Sequence, residues 1–234
     1  MNTALILAGG TDPRFKMNIP KQFVNVNNRP IIVYTMEIFQ KHPDIDEIVV
    51  SCLDGWEEMV RVYGKQFNIH KLKAIIPGGK DAQESTYHGL DYLKDEMGQG
   101  DIVVIHDAIR PMVSQEIISK SIQMCRKKGN GVAATYIMDS IMYSEDGKQG
   151  SRSINRSKIM KVQTPQSFDF NDIWRLHQKA VKQGTTGAWD NSTLLGNMGK
   201  AVYFSEGSGL NLKINTPEDV EMFKALYKMK HPDE

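Results

Sequence analysis

Asp101-Ile102-Val103-Val104-Ile105-His106 is an unbroken apolar run between a charged and a polar end, followed at once by Asp107-Ala108-Ile109-Arg110-Pro111. A run of this length with no polar alternation reads as a strand buried on both faces, the kind found inside parallel sheets. Downstream, residues 115–128 repeat apolar positions at Ile117, Ile118 and Ile122, with Ser114 placed to cap the start and Gly129 to end the helix. Residues 131–136 then read as strand, completing a β-α-β unit. Working back toward the N-terminus, 3–8, 47–52 and 73–76 read as strands, and 30–39, 57–67 and 83–97 as helices. The alternation predicts an α/β protein with a mostly parallel sheet and helices on both faces.

The pattern breaks over 137–161, where short alternating segments surround Ser144-Glu145-Asp146-Gly147-Lys148, a strong turn signal. This stretch reads as a β-arm leaving the sheet, as a plain surface hairpin or as a dimer arm. Helical pattern resumes at 170–183, and Thr216-Pro217-Glu218-Asp219 opens a last helix with Thr216 as its cap. That helix is expected to run to about residue 228, with 229–234 fraying. No composition shift or linker divides the 234 residues, so a single domain over 1–234 is expected.

Composition narrows the function classes. Lys+Arg number 29 and Asp+Glu 28, a net charge of +1, which argues against nucleic-acid binding by bulk charge. No apolar run approaches a membrane span, and no secretory signal pattern opens the chain, so a cytoplasmic protein is expected. Cys52 and Cys125 stand apart without metal spacing and suit reduced thiols. The sequons at Asn155 and Asn191 read as chance matches.

Ligands of open α/β sheets gather beyond the carboxyl ends of the strands. That rule points to four places: after Ala8, after Ile76, after His106 and around Thr164. At the first, Gly9-Gly10 lets backbone N–H groups approach an anion, with Arg14 and Lys21 adding positive charge; it matches neither the dinucleotide fingerprint nor a Walker loop. At the second, Gly78-Gly79-Lys80 precedes Ser85. At the third, Asp107 is placed to hold Mg²⁺, which takes one or two carboxylates and leaves room for phosphates. His106 reads as a packed residue, and Arg110 as a phosphate ligand or as a partner of Asp107. Lys213 lies in an apolar, strand-like setting and reads as a functional cation or as an edge-strand lysine.

Taken in order, Leu-Ala-Gly-Gly (7–10), Pro-Lys-Gln-Phe (20–23), Gly-Gly then Ser85, His-Asp-Ala-x-Arg-Pro (106–111), Thr-Pro-Gln-x-Phe (164–168) and Asn-x-Lys-Ile (211–214) resemble the cytidylyltransferases that act on methylerythritol 4-phosphate and ribitol 5-phosphate. The resemblance spans residues 4 to about 226. It implies a Rossmann-like nucleotidyltransferase fold, a homodimer joined by the β-arm, and transfer of CMP from CTP to an alditol phosphate with Mg²⁺ as cofactor. Arg14, Lys21 and Lys213 match the catalytic cations, and Asp107 the Mg²⁺ ligand. Ala8, Gly9, Gly10, Gly79, Lys80 and Ser85 match the CTP site. Arg110, Asp139, Arg156, Thr164 and Asp190 match the second-substrate site. Phe23 and Gln163 look like the ribitol-phosphate branch; methylerythritol phosphate is the same-class alternative. A silent nucleotide-binding dimer and a sugar 1-phosphate nucleotidyltransferase using another NTP are the further alternatives.

The sequence departs from the family pattern at Asp12, where a glycine is usual, at Ala82, where an arginine is usual, and at Trp189, which stands in the place of a threonine. The Trp189 departure is read as a mark of a longer or epimeric alditol phosphate.

Overall fold

The structure, a computed structural model, describes residues 1–11, 15 and 19–232. In chain order it has β1 (Asn2–Ala8), β2 (Asn25–Val26), β3 (Arg29–Pro30), α1 (Ile31–Lys41), β4 (Glu47–Cys52), α2 (Glu57–Gln66), β5 (Leu72–Pro77), α3 (Ala82–Leu93), β6 (Ile102–Asp107), α4 (Gln115–Lys128) and β7 (Asn130–Tyr136). There follow β8 (Ile141–Tyr143), β9 (Arg152–Ile154), β10 (Met160–Asp169), α5 (Phe170–Lys182), α6 (Asn191–Asn197), β11 (Phe204–Glu206) and α7 (Pro217–Lys230).

Seven strands form one sheet in the order β11-β7-β10-β6-β1-β4-β5. All neighbours run parallel except β10, which is antiparallel to both β6 and β7. Both faces of the sheet are buried, as the apolar runs require. Ala4, Ile6, Ile48, Val50 and Val104 pack on one side with α1, α2 and α4. Leu5, Val49, Val103 and Ile105, the alternate positions, pack on the other with α3, α5 and α6. Each fully buried Leu, Ile or Val among these contributes about 1.5–3 kcal/mol relative to exposure. A third cluster lies under α7, where Phe223 and Val220 cover Ile31, Ile109 and Ile214.

The helix signals act as expected. Ser114 accepts from the Ile117 amide and Gly129 closes α4 with φ +85°. Thr216 and Asp219 form a reciprocal capping box with Pro217 in the first turn. Three expectations are corrected. Thr164 lies inside β10 rather than beyond a strand end; the register with β7 shifts between Val162 and Gln166, and that bulge accommodates Pro165. Lys213 lies in an irregular segment, not a strand, because the Ile214 amide bonds to the Ile109 carbonyl outside any ladder. Helix α7 holds to Lys230, with Tyr227 still buried against Tyr34. The 137–161 region forms the β8–β9 hairpin, paired outside the main sheet.

Candidate functional site

Two glycine loops meet at the carboxyl ends of β1 and β5. The Gly78 amide donates to the Cys52 carbonyl at 2.7 Å. A Cβ on Gly78 would sit 2.9 Å from that oxygen and 3.1 Å from Gly9 Cα, and one on Gly9 would meet Gly78 Cα at 3.2 Å. The backbones are therefore in contact, and a side chain at either place would part them. Ser85, on the first turns of α3, accepts from the Gly79 amide at 2.9 Å and fixes the second loop. Asp81 caps α3 through the Glu84 amide. Lys80 is exposed, with its amide on Glu84 Oε2.

Gln22 holds the first loop. Its buried amide donates to the Ala8 carbonyl at 2.7 Å and to the Gly10 carbonyl at 3.3 Å. Sequence reasoning placed Gln22 inside a motif but gave it no role, because its partners lie 14 and 12 residues away along the chain. Lys21 is buried next to it, and its ammonium reaches Asn215 Oδ1 at 3.2 Å. Asn215 in turn donates to the Lys213 carbonyl at 3.4 Å. Arg14, expected as the other cation of this loop, lies outside the described residues, as do Asp12 and Pro13.

At the end of β6, Asp107 Oδ2 accepts from Arg110 Nε at 2.9 Å and pairs with Lys213 Nζ at 3.1 Å. Burial opposes ionisation here, but Lys213 and then Arg110 outweigh it and hold the carboxyl well below the usual range. Arg110 is buried and also donates to the Asn211 carbonyl at 2.9 Å. Of its two readings, the structure favours the pairing with Asp107. The Asp107 amide donates to Thr164 Oγ1 at 3.0 Å, an aim set by the β10 bulge. Asn211 closes the back of this corner, donating to the Thr164 carbonyl at 2.8 Å. His106 is fully buried against Phe39, and burial lowers its pKa to about 3, so the ring is neutral.

Thus Lys21, Lys213, Asp107, Arg110 and Thr164 form one bonded chain through Asn211, which the sequence reading used only as the first residue of a motif, and Asn215, for which it had no use. The remaining second-substrate candidates lie elsewhere. Asp190 caps α6: Oδ1 accepts from the Thr193 amide at 2.8 Å and Oδ2 from Gln166 at 2.8 Å. Both oxygens are engaged in holding α6 to β10. Asp139 and Arg156 are exposed beside the hairpin, where Arg156 donates to the Met138 carbonyl. Trp189 is 89% exposed, while its neighbour Ala188 is buried with its amide on Gln83 Oε1 at 3.1 Å.

Among the described residues no group of three His, Cys, Asp or Glu side chains could hold a metal. Asp107 alone fits Mg²⁺ in the manner expected: it is ionised, and its hydrogen bonds and ion pairs fall on Oδ2 and leave Oδ1 without a partner among the described residues.

Cations fixed in place beside a glycine seam, with no nucleophilic side chain activated by a base among the described residues of the site, suit transfer between phosphate groups, the chemistry of nucleotidyltransferases. More narrowly, the chain belongs to the 2-C-methyl-D-erythritol 4-phosphate cytidylyltransferase (IspD) family, which matches residues 2–228. It is 38% identical over 232 residues to a ribitol-5-phosphate cytidylyltransferase of Lacticaseibacillus paracasei, covering 98% of this chain and 99% of that one. It is 36% identical over 219 residues to a 2-C-methyl-D-erythritol 4-phosphate cytidylyltransferase of Clostridium botulinum, covering 94% of each. The crystal structure of a 4-diphosphocytidyl-2C-methyl-D-erythritol synthase from Anaerococcus prevotii shares the fold, with a TM-score of 0.83 at 24% identity over 97% of this chain and 96% of that one. The enzyme is a cytidylyltransferase with the expected fold. No described helix is long and apolar enough to cross a membrane.

Proposed function

We propose that the enzyme transfers CMP from CTP to ribitol 5-phosphate or a close alditol phosphate, giving the CDP-alditol and pyrophosphate. The observation that carries this reading is the bonded chain Lys21–Asn215–Lys213–Asp107 beside the Gly9–Gly78 seam. A phosphate monoester has a second pKa near 6, so at pH 7 it is largely dianionic and needs no general base. One of its oxygens attacks the α-phosphorus, the bond to the bridging β-oxygen breaks, and pyrophosphate leaves with the electron pair. Two anions must be brought together, and the Lys21 and Lys213 ammoniums offset that repulsion. The backbone of Gly9, Gly10 and Gly79 lines the nucleotide, with the Gly79 amide held on Ser85 Oγ. Asp107 Oδ1 would hold Mg²⁺, which when bound neutralises phosphate charge; Arg110 keeps that carboxylate ionised and oriented.

Support for ribitol phosphate comes from Phe23 and Gln163, which set the chain apart at the sequence level. Phe23 is buried and stacked on Trp56 with centroids 4.3 Å apart. Gln163 donates to the Ser208 carbonyl at 2.8 Å and accepts from Asn211, so it shapes the segment that delivers Lys213. The methylerythritol phosphate reading stays as the second, because identity to the two kinds of relative is nearly equal, 38% and 36%. The homodimer joined through the hairpin, with Asp139 and Arg156 completing the neighbouring subunit's alditol site, and a cytoplasmic location belong to the same proposal. Pyrophosphate release from CTP with Mg²⁺ and a panel of alditol phosphates tests it. Ribitol 5-phosphate should give the highest kcat/KM; turnover of methylerythritol phosphate alone would reverse the assignment.

A further inference from the structure

At the other end of the sheet lies a cleft of about 530 Å³ that the cytidylyl-transfer site does not use. Its position is fixed by register. Phe168 pairs with Asn130 at the start of β7, and Asp169 with Ile102 at the start of β6, so the cleft opens at the amino ends of the strands, opposite Asp107. Lys128 comes from the last turn of α4, Arg175 and Lys179 from one face of α5, and Lys200 from the loop after α6. Asp172 is the single carboxylate among the described lining residues. Four cations against one anion leave +3 around one cleft, in a chain whose whole net charge is +1.

These cations are not neutralised by the fold. Among the described residues Arg175, Lys179 and Lys200 have no ion pair or side-chain hydrogen bond. Lys128 sits over the Tyr203 ring at 5.6 Å, a contact that leaves its charge uncompensated. Arg175 and Lys179, four residues apart on one helix face, repel each other. Yet the other α5 positions of that face, Leu176 and Ile173, are buried and join Phe168 and Leu195 as an apolar floor. The Asn130 side chain is spent on the loop that delivers Tyr203, accepting from the Tyr203 amide at 2.8 Å and donating to the Ala201 carbonyl at 3.0 Å. The aromatic wall is therefore held in place.

Cations on the rim, an apolar floor, a fixed aromatic wall and a volume within the 300–1,000 Å³ of small-molecule sites describe one ligand chemistry. We infer that this cleft is a second binding site, for an organic polyphosphate with an aromatic or apolar body, the chemistry of a nucleotide. The phosphates meet Arg175, Lys179 and Lys200, and the body covers the exposed ring of Tyr203. Arg175 can grip a phosphate bidentately, and the lysines act as point charges.

ATP is a suitable probe, because its base is not that of the proposed substrate. Isothermal titration with ATP should give binding to the wild-type enzyme that weakens about tenfold or more in the double variant Arg175→Glu/Lys179→Glu, since each charge-assisted contact is worth at least that factor. Lys21→Ala should leave ATP binding unchanged, and the double variant should keep its turnover of CTP. Inorganic triphosphate should bind more weakly than ATP, having nothing to cover the floor. Should the double variant fail to fold, Lys200→Gln and Lys179→Gln should each weaken ATP severalfold. The inference is overturned if ATP gives no binding at millimolar concentration, if its affinity survives the charge changes, or if Lys21→Ala alone abolishes it.

Discussion

The Asp107 corner and the β8–β9 hairpin carry the same kinds of residue and treat them in opposite ways. In the corner, Asp107, Arg110, Thr164, Asn211 and Lys213 arrive from three places in the chain, and each finds partners inside it. At the hairpin, Asp139 has no partner among the described residues, and Arg156 finds only a backbone carbonyl. Beside them Tyr136 and Met138 are 70% and 76% exposed. A site finished within one chain can hold its charges ready, and readiness is what electrostatic catalysis needs. Charges and apolar side chains left open to water have no such fixed surroundings within one chain.

Breaking the corner should have the largest effect. Lys21→Ala and Lys213→Ala are each expected to lower kcat about 10²–10³-fold, the scale for a lost preorganised contact to developing charge. Asp107→Asn should match them in activity and also lower stability, because Arg110 and Lys213 then share no carboxylate. Steady-state pyrophosphate release and urea unfolding measure the two effects. Full activity in any of the three would remove the corner from the chemistry.

Acid should attack the core around the corner before it reaches the hairpin. Burial holds the His106 pKa down to about 3 and that of His177 to about 4, with Asn191 Oδ1 on the His177 ring opposing the shift. Unfolded histidines take up a proton near pH 6.5. Between those limits the unfolded chain binds more protons, so stability falls as pH falls, by about 1.4 kcal/mol per pH unit for each histidine. Asp107 adds to this only lower down, its contribution being present above the ordinary carboxylate pKa and lost as pH falls toward its depressed value. Unfolding free energies from pH 6.5 to 4 should show the slope, and His177→Gln should reduce it by about one proton.

The glycine seam sharpens the comparison, since it is the part of the site with no charge at all. Gly78→Ala puts a Cβ against the Cys52 carbonyl and Gly9, neither of which can swing aside as a side chain would. A cost of about 1–3 kcal/mol is expected, the range for overpacking, together with a raised KM for CTP and little change in KM for the alditol phosphate. Equal rises in both would mean that the seam does not belong to the nucleotide.

What was legible in advance follows the range of the interactions. Strands β1, β4 and β6 could be read because continuous apolar runs report burial on both faces directly. The caps at Ser114 and Thr216 are contacts three residues long. Strand β10 escaped because Pro165 and four polar residues, Gln163, Thr164, Gln166 and Ser167, occupy its middle, and their burial depends on Asn211, Asp190 and Ser121. Helix α6 is seven residues long and is started by Asp190, which read as a substrate ligand. Asn215 and Gln22 matter through bonds to Lys21 and to the Gly9 loop that no local pattern announces. The corner's members were found one by one, but its wiring spans 57 residues between Asp107 and Thr164 and 194 between Lys21 and Asn215.

Asp190 gives a smaller and more local test. Asp190→Ala removes the α6 cap, at about 0.5–2 kcal/mol, and strands one donor of Gln166 in the interior. Stability should fall by that amount or somewhat more. Asp190→Asn, which keeps an acceptor for the Thr193 amide, should recover most of it. If Asp190 acts only through Gln166 and α6, both variants should keep KM for CTP, and the loss in kcat should follow the loss in stability rather than exceed it.

The hairpin should be the most forgiving region when the chain is judged alone. Met138→Asp replaces a side chain that is 76% exposed and has no packing to lose, so the unfolding free energy should move by no more than about 0.5 kcal/mol. Its effect should appear instead in mass. If the hairpin joins two subunits, a carboxylate among Tyr136, Met138 and Met142 must be desolvated at the interface, and sedimentation should show the monomer where the wild type shows the dimer. Turnover should fall with it, and should rise with enzyme concentration as the weakened dimer reforms. A variant that keeps both its mass and its rate would leave Asp139 and Arg156 as ordinary surface residues, and the alditol phosphate would then have to be bound by groups of the corner alone.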